Sequence, residues 1–327
     1  MVIKLINTLL TVVAGVGAAL VLYWILNKLA EILPGRWEER LKPYLYILPA
    51  VAAIVVYVLY PGIQTIEFSF ANAESTTFVG LQNYQKLLAS TGFRQTLLTT
   101  LVWIIVAPLA AVVFGLLVAT LVDRLRAGSE KTAKTIVFFP MAISAVGAGT
   151  VWRFMYAFAP PGQPQVGVQN AIVTGLGFDP IAWLEQRTFS FNTLLLIVMF
   201  LWSQVGFSMV LLSAAIKGVP TDTLEAARVD GASERQIFRR VVLPQIMPTI
   251  VTVYVTVVIS VMKLFDIVYV MTNGSFNTNV LATEFFNQLF TNFNNGYAAA
   301  IVVMFMIFVM PVMWFQVRQF RLQEANR

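Results

Sequence analysis

The chain of 327 residues is 58% apolar and 12% charged, against about 25% charged in a soluble globular domain, so lipid rather than water surrounds much of it. It contains no cysteine and no histidine, which excludes disulfide frameworks, thiolate zinc sites, Ser-His-Asp and Cys-His catalytic sets and imidazole proton relays. Its 22 Lys plus Arg exceed 16 Asp plus Glu, a net charge of +6, and in a membrane chain the placement of that excess reads as topology rather than as affinity for nucleic acid.

A helix needs roughly 20 apolar residues to cross the hydrocarbon core. Runs of that kind predict an all-α membrane protein with seven spanning helices, at about 4–28, 44–66, 95–122, 134–157, 191–216, 249–271 and 297–317. The first run is too long for a signal-peptide core, and no A-x-A cleavage site follows it before Pro34, so it reads as a helix. The stretch from Leu33 to Arg40 is polar and holds the helix-stopping Pro34-Gly35 pair. This predicts an N-terminal helix and linker over 1–43 and a six-helix core over 44–327. Pro49, Pro61, Pro108, Pro140 and Pro311 punctuate the spans, either as kinks around a pathway or as ordinary membrane-helix composition. The longest loops are about 30 residues, which leaves no room for a soluble domain.

Sixteen basic residues lie in four segments, 28–43, 123–134, 217–247 and 317–327, whereas the alternate segments hold only Lys86 and Arg187. By the positive-inside rule the first set faces the cytoplasm, so the C-terminus lies inside and, with seven spans, the N-terminus outside.

The loop 217–247 reads as two short helices joined by a turn. Asp222 and Glu225 have the spacing of a capping box, Gly231 suits a left-handed C-terminal position, and Ser233 with Gln236 repeats the box for a second helix. On that second helix Ile237, Phe238, Val241 and Val242 share a face, leaving Arg235, Arg239 and Arg240 on the rest. A small-residue helix held by a turn beneath a membrane bundle suits another protein's groove.

This loop, with Glu225-Ala226-Ala227, then Gly231, Val241 and Leu243-Pro244, closely resembles the signature of binding-protein-dependent ABC importer permeases. Val241 stands where that family usually has Ile. Val79-Gly80-Leu81-Gln82-Asn83-Tyr84 and the run from Phe265 to Ala300 resemble the carbohydrate-uptake branch, although Ser275-Phe276 replaces the usual Gly-Pro. Within that branch, the extra first helix and the overall wording are most similar to the first permease subunit of alpha-glucoside importers. The resemblance covers about residues 44–320. It implies that 221–244 is a coupling segment docking on a cytoplasmic ATPase, with Glu225 as polar anchor, Ala226 and Ala227 as the close-packed face, Asp230 and Gly231 at the turn, and Leu243-Pro244 closing the motif. It also implies the partners: a second homologous permease, a cytoplasmic ABC ATPase dimer that uses ATP and Mg, an extracytoplasmic solute-binding protein and a sugar-like or glycosidic solute. The setting it implies is the lipid of a bacterial inner membrane. No cofactor, metal or nucleic acid is expected on this chain.

Charges inside spans are expensive, which marks Arg153, Lys263 and Asp266. Arg153 near a span end is open to snorkelling. Lys263 and Asp266, three apart, read either as a structural pair or as part of a pathway. A sugar site needs hydrogen-bonding groups and aromatic faces, which the span 191–216 supplies in Trp202, Ser203, Gln204, Phe207 and Ser208. The carbohydrate resemblance adds 258–270 with Lys263, Asp266 and Tyr269. Polar groups in these helices equally serve to hold a bundle together. The absence of a Gly-Lys dipeptide removes the P-loop, so no enzyme is expected. An ion-coupled secondary transporter is the alternative, though one mid-span acid and no repeated half give it little support.

Overall fold

The computed structural model describes residues 2–32 and 35–325. The expected break at Leu33-Pro34 and the tail's Arg327 lie outside the described residues. The described residues form helices joined by turns and loops, with a lone antiparallel bridge between Ala71 and Phe78. They divide into two compact units, Met1–Glu67 and Phe68–Arg327. The helix expected to open the core therefore groups with the first helix.

The first unit contains α1 (Val2–Glu31) and α2 (Gly35–Ile54), continued through a wider turn over Val55–Leu59 into α3 (Tyr60–Phe68). Tyr23 and Tyr46 stack at 5.9 Å, and the Tyr46 hydroxyl donates to Asn27 Oδ1 at 2.8 Å. Nearly all its large apolar side chains point outward, as expected for helices whose solvent is lipid.

The second unit comprises α4 (Gln82–Ala89), α5 (Thr91–Val122), α6 (Ala127–Phe138), α7 (Ala145–Met155), α8 (Val168–Gly175), α9 (Phe191–Lys217), α10 (Thr221–Val229), α11 (Glu234–Ile237), α12 (Leu243–Met262), α13 (Asp266–Met271), α14 (Leu281–Phe286) and α15 (Asn295–Ala325). Its core lies where α5, α9 and α12 pack together. Along α5 the buried stripe is small, with Ala107, Ala111, Gly115 and Ala119, while Leu109, Val113, Leu117 and Leu121 on the other side are exposed. That inside-out distribution is the membrane pattern: lipid rewards no apolar burial, so contact comes from small residues that let backbones approach. Gly115 shows the limit, because a Cβ there would collide with Ser208 on α9.

Five helices among the described residues are long and apolar enough to cross a membrane: Ile6–Glu31, Glu38–Phe68, Thr91–Val122, Phe191–Lys217 and Glu234–Met262. The expected span 134–157 is not one straight helix. It breaks at a 3-10 turn, Phe139–Ala142, containing Pro140, and bends by 99° before α7, where Ser144 Oγ caps the new helix by accepting from Gly147 N–H at 3.1 Å. Counted as one span it makes six, and the shorter apolar helix Asn295–Pro311 occupies the last expected position. The expected span 249–271 is also corrected. Its helix starts earlier, ends at Met262, and resumes only at Asp266, with Lys263 and Asp266 exposed at the break, where neither charge is buried without a partner.

The segment Val79–Tyr84 acts as a tie. Asn83, buried, donates through Nδ2 to the carbonyls of Ser69 at 3.0 Å and Ala71 at 2.8 Å, and Tyr84 OH bonds Ser69 Oγ at 2.6 Å. These bonds satisfy loop carbonyls that packing has removed from water.

Candidate functional site

The loop between α9 and α12 folds as its residues dictate. Helix α10 starts one residue before the expected cap: Pro220 occupies the cap position, so Asp222 lies inside the first turn and serves the helix dipole rather than capping it. The end of α10 is a complete Schellman motif. Ala232 N–H reaches Ala227 O at 3.0 Å, Gly231 N–H reaches Arg228 O at 3.0 Å, and Gly231 takes φ +79°. Ser233 and Gln236 form the expected capping box, with Ser233 N–H donating to Gln236 Oε1 at 2.8 Å. Arg228 Nε donates to Glu234 Oε1 across the turn at 2.8 Å, which raises the Arg228 pKa above its ordinary value.

Beneath the loop a small apolar cluster forms from Val219, Ile237, Val242 and Ile246, with Leu224, Ala227, Ala232, Phe238 and Val241 against it. This sorts the loop's residues into two faces. Leu224 and Ala227 point inward, so Ala227 belongs to the loop's own core rather than to an outer face. Glu225, Ala226, Val229, Asp230 and Gly231 are exposed, and Val229 is 88% exposed. Leu243 is half-buried and Pro244 exposed. Between Phe238 and Val242 the helix widens, and Leu243 N–H bonds Phe238 O, five residues back.

The loop also hangs from an ionic cluster that sequence reasoning missed. Lys134 Nζ lies 2.8 Å from Asp123 Oδ1, 2.7 Å from Glu130 Oε1 and 2.5 Å from Ser213 Oγ, and Lys217 pairs with Glu130. Ser213 Oγ donates to Asp123 Oδ1 at 2.6 Å. These residues come from the ends of α5, α6 and α9, next to the point where α9 enters the loop. The only sequence signal was a pair of acids, Asp123 and Glu130, within a basic segment, which spacing alone does not pair.

The expected pathway residues lie on α9 and around the break between α12 and α13. Trp202 is exposed and meets Trp152 edge-on at 5.9 Å, whereas Gln204 and Phe207, on other faces of α9, are half-buried. Lys263 and Asp266 make no ion pair with each other, because the helix that would have aligned them ends between them. Tyr269 stands in an aromatic ladder: Phe265 stacks on Tyr269 at 5.0 Å and meets Phe286 at 4.8 Å, which meets Phe290 at 4.7 Å. Arg153 is exposed. Its Nη1 approaches Val270 O at 3.5 Å on the wall of a cavity.

Comparison with known proteins places this architecture. Residues 111–322 match the family model described as binding-protein-dependent transport system inner membrane component. The chain is 42% identical to the osmoprotective compounds uptake permease protein GgtC of Synechocystis sp., over 86% of this chain and 100% of that one. It is 39% identical to the alpha-glucoside transport system permease protein AglF of Rhizobium meliloti, over 96% and 97% of the two chains. In fold it is similar to a chain from the crystal structure of a bacterial ABC transporter for import of the acidic polysaccharide alginate, with TM-score 0.75 at 22% identity over 88% of this chain and 99% of that chain. The chain belongs to the inner-membrane components of binding-protein-dependent transport systems: it is a multi-pass permease subunit of an ABC importer, a transport subunit without an ATPase domain.

Proposed function

We propose that this permease carries a neutral glycoside or glycosidic compatible solute and that residues 221–244 couple it to a cytoplasmic ATPase dimer, which uses ATP and Mg. The observation that supports the coupling role most directly is the two-faced loop. Ala227 and Leu224 anchor α10 to the cluster at the root of α12, while Glu225, Ala226, Val229 and Asp230 are exposed on a helix of fixed orientation. A push on the outer face is therefore delivered to α12 through packed side chains. Glu225 is the polar anchor, Ala226 the close-contact position, and Asp230 with Gly231 the turn that limits the docking helix; Leu243 and Pro244 join the loop to the span. The basic residues of 123–134 and 217–247 put this side in the cytoplasm and the C-terminus with it. The N-terminus then lies on the outer side of a bacterial inner membrane.

The solute class rests on the similarity to an osmoprotectant permease and an alpha-glucoside permease. A second homologous permease completes the pathway, and an extracytoplasmic binding protein delivers the solute. Trp202, Gln204, Phe207, Lys263, Asp266 and Tyr269 are proposed to contribute to that pathway at more than one point. In the assembled complex with its binding protein, an alpha-glucoside should stimulate ATP hydrolysis, and Glu225→Arg should abolish the stimulation while leaving the complex assembled. Full stimulation in Glu225→Arg would refute the docking role.

A further inference from the structure

A cavity of about 570 Å³ lies in the second unit, away from the coupling loop, between α7, the short turn Trp183–Glu185, α13 and the turn after it. Its lining combines Thr150, Arg153 and Glu185 with the rings of Tyr156, Trp183 and Phe276. A volume of that size suits a small-molecule site with a few convergent polar groups.

Two features set it apart from an ordinary crevice. Arg153 and Glu185, both exposed, line the same open space from different elements, yet no ion pair joins them. Arg153 has only the long contact to Val270 O, and the Glu185 side chain makes no hydrogen bond or ion pair. Opposite charges that share a cavity without pairing leave a forked donor on one element and a carboxylate acceptor on another. The second feature is Phe276. It holds φ +58°, uncommon and costly for a bulky side chain. The surroundings fix it: Asn192 Nδ2 donates to Phe276 O at 2.7 Å, and the Arg187 guanidinium lies 5.7 Å from the ring centroid. The strained turn brings an aromatic ring to the cavity wall.

We infer that this cavity is a solute subsite for a neutral glycoside, with Arg153 donating to and Glu185 accepting from ring hydroxyls while an apolar sugar face rests on the aromatic wall. Hydroxyls both give and accept, so a polyol satisfies both unpaired groups at once, and charge-assisted bonds of this kind are the stronger ones. The inference rests on the glycoside reading above. By the positive-inside assignment it sits on the outer side, which makes it a receiving site before the membrane centre.

The absence of native cysteine permits a direct test. Thr150, exposed at the cavity, is replaced by Cys in the assembled transporter in lipid nanodiscs, and maleimide labelling of this chain is read by intact mass. Sucrose, an alpha-glucoside, should slow labelling several-fold. Arg153→Gln and Glu185→Gln, which remove no ion pair, should each raise the sucrose concentration needed by about tenfold, the worth of one charge-assisted hydrogen bond. Three results would overturn the subsite: no labelling without sucrose, because a partner subunit then covers the cavity; protection by glycine betaine but not sucrose; or protection unchanged in both variants. Sucrose uptake by the unsubstituted complex is measured alongside. Uptake without protection defeats the subsite alone, whereas an absence of glycoside uptake defeats the functional reading and the subsite with it.

Discussion

Gly231 and Asn83 are two positions where one side chain decides a local structure. Gly231 holds φ +79° with nothing near its Cβ position, so space is free and only backbone conformation forbids a larger residue. Gly231→Val should cost roughly 1–2 kcal/mol at the turn and displace α10. The expected outcome is a complex that assembles but loses most solute-stimulated ATP hydrolysis, checked by comparing subunit stoichiometry with turnover. Asn83 has the opposite character, being buried and bonded to two carbonyls. Asn83→Leu removes the amide that bonds both carbonyls and costs about 1–3 kcal/mol at the buried Ala71 O, and it should lower Tm in detergent by several degrees without changing coupling in the assembled complex. The capping residues teach a further point at this scale. Ser233 and Gln236 were legible because both halves of the box are used, whereas Asp222 was misplaced because Pro220, with its fixed φ, starts the helix earlier.

At the scale of elements, helix breaks and charge clusters were least legible in sequence. Two widened turns, Val55–Leu59 and Phe238–Val242, each end two residues before a proline, Pro61 and Pro244. A proline ring clashes with the carbonyl four residues back and lacks the N–H that would bond it, so a wider preceding turn relieves the clash without ending the helix. Pro140, by contrast, accompanies a true break. A hydropathy window sees neither outcome, because both leave the run apolar. The cluster of Asp123, Glu130, Lys134, Lys217 and Ser213 was invisible for a different reason: its members come from three helices and become neighbours only through packing. Lys134→Met would leave Asp123, 11% exposed, and Glu130, 17% exposed, with only Lys217 as counter-charge. Lys217 and Ser213 still bond these carboxylates, so the expected outcome is a denaturation midpoint in detergent that is lower than that of an exposed-pair control. Lys28→Met serves as the control. It breaks a pair whose members are 57% and 42% exposed and should change the midpoint negligibly.

For the molecule as a whole, the sequence carried the class and the local fold of the loop 217–247, because hydropathy and turn chemistry are local properties. It did not carry the 99° bend or the break between Met262 and Asp266, since both depend on how helices end. In keeping with the proposed coupling role, we propose that the outer face of α10 meets an ATPase and that the cluster beneath it passes that contact to α12. The measurement that tests it most directly is site-specific crosslinking from Ala226→Cys, the sole cysteine this chain would then contain, in transporter purified gently from its native membrane. The expected result is a crosslink from residue 226 to a nucleotide-binding subunit, with a yield that changes when ATP is added. An assembled transporter in which residue 226 stays freely labelled by a thiol reagent and crosslinks to no nucleotide-binding subunit would contradict it.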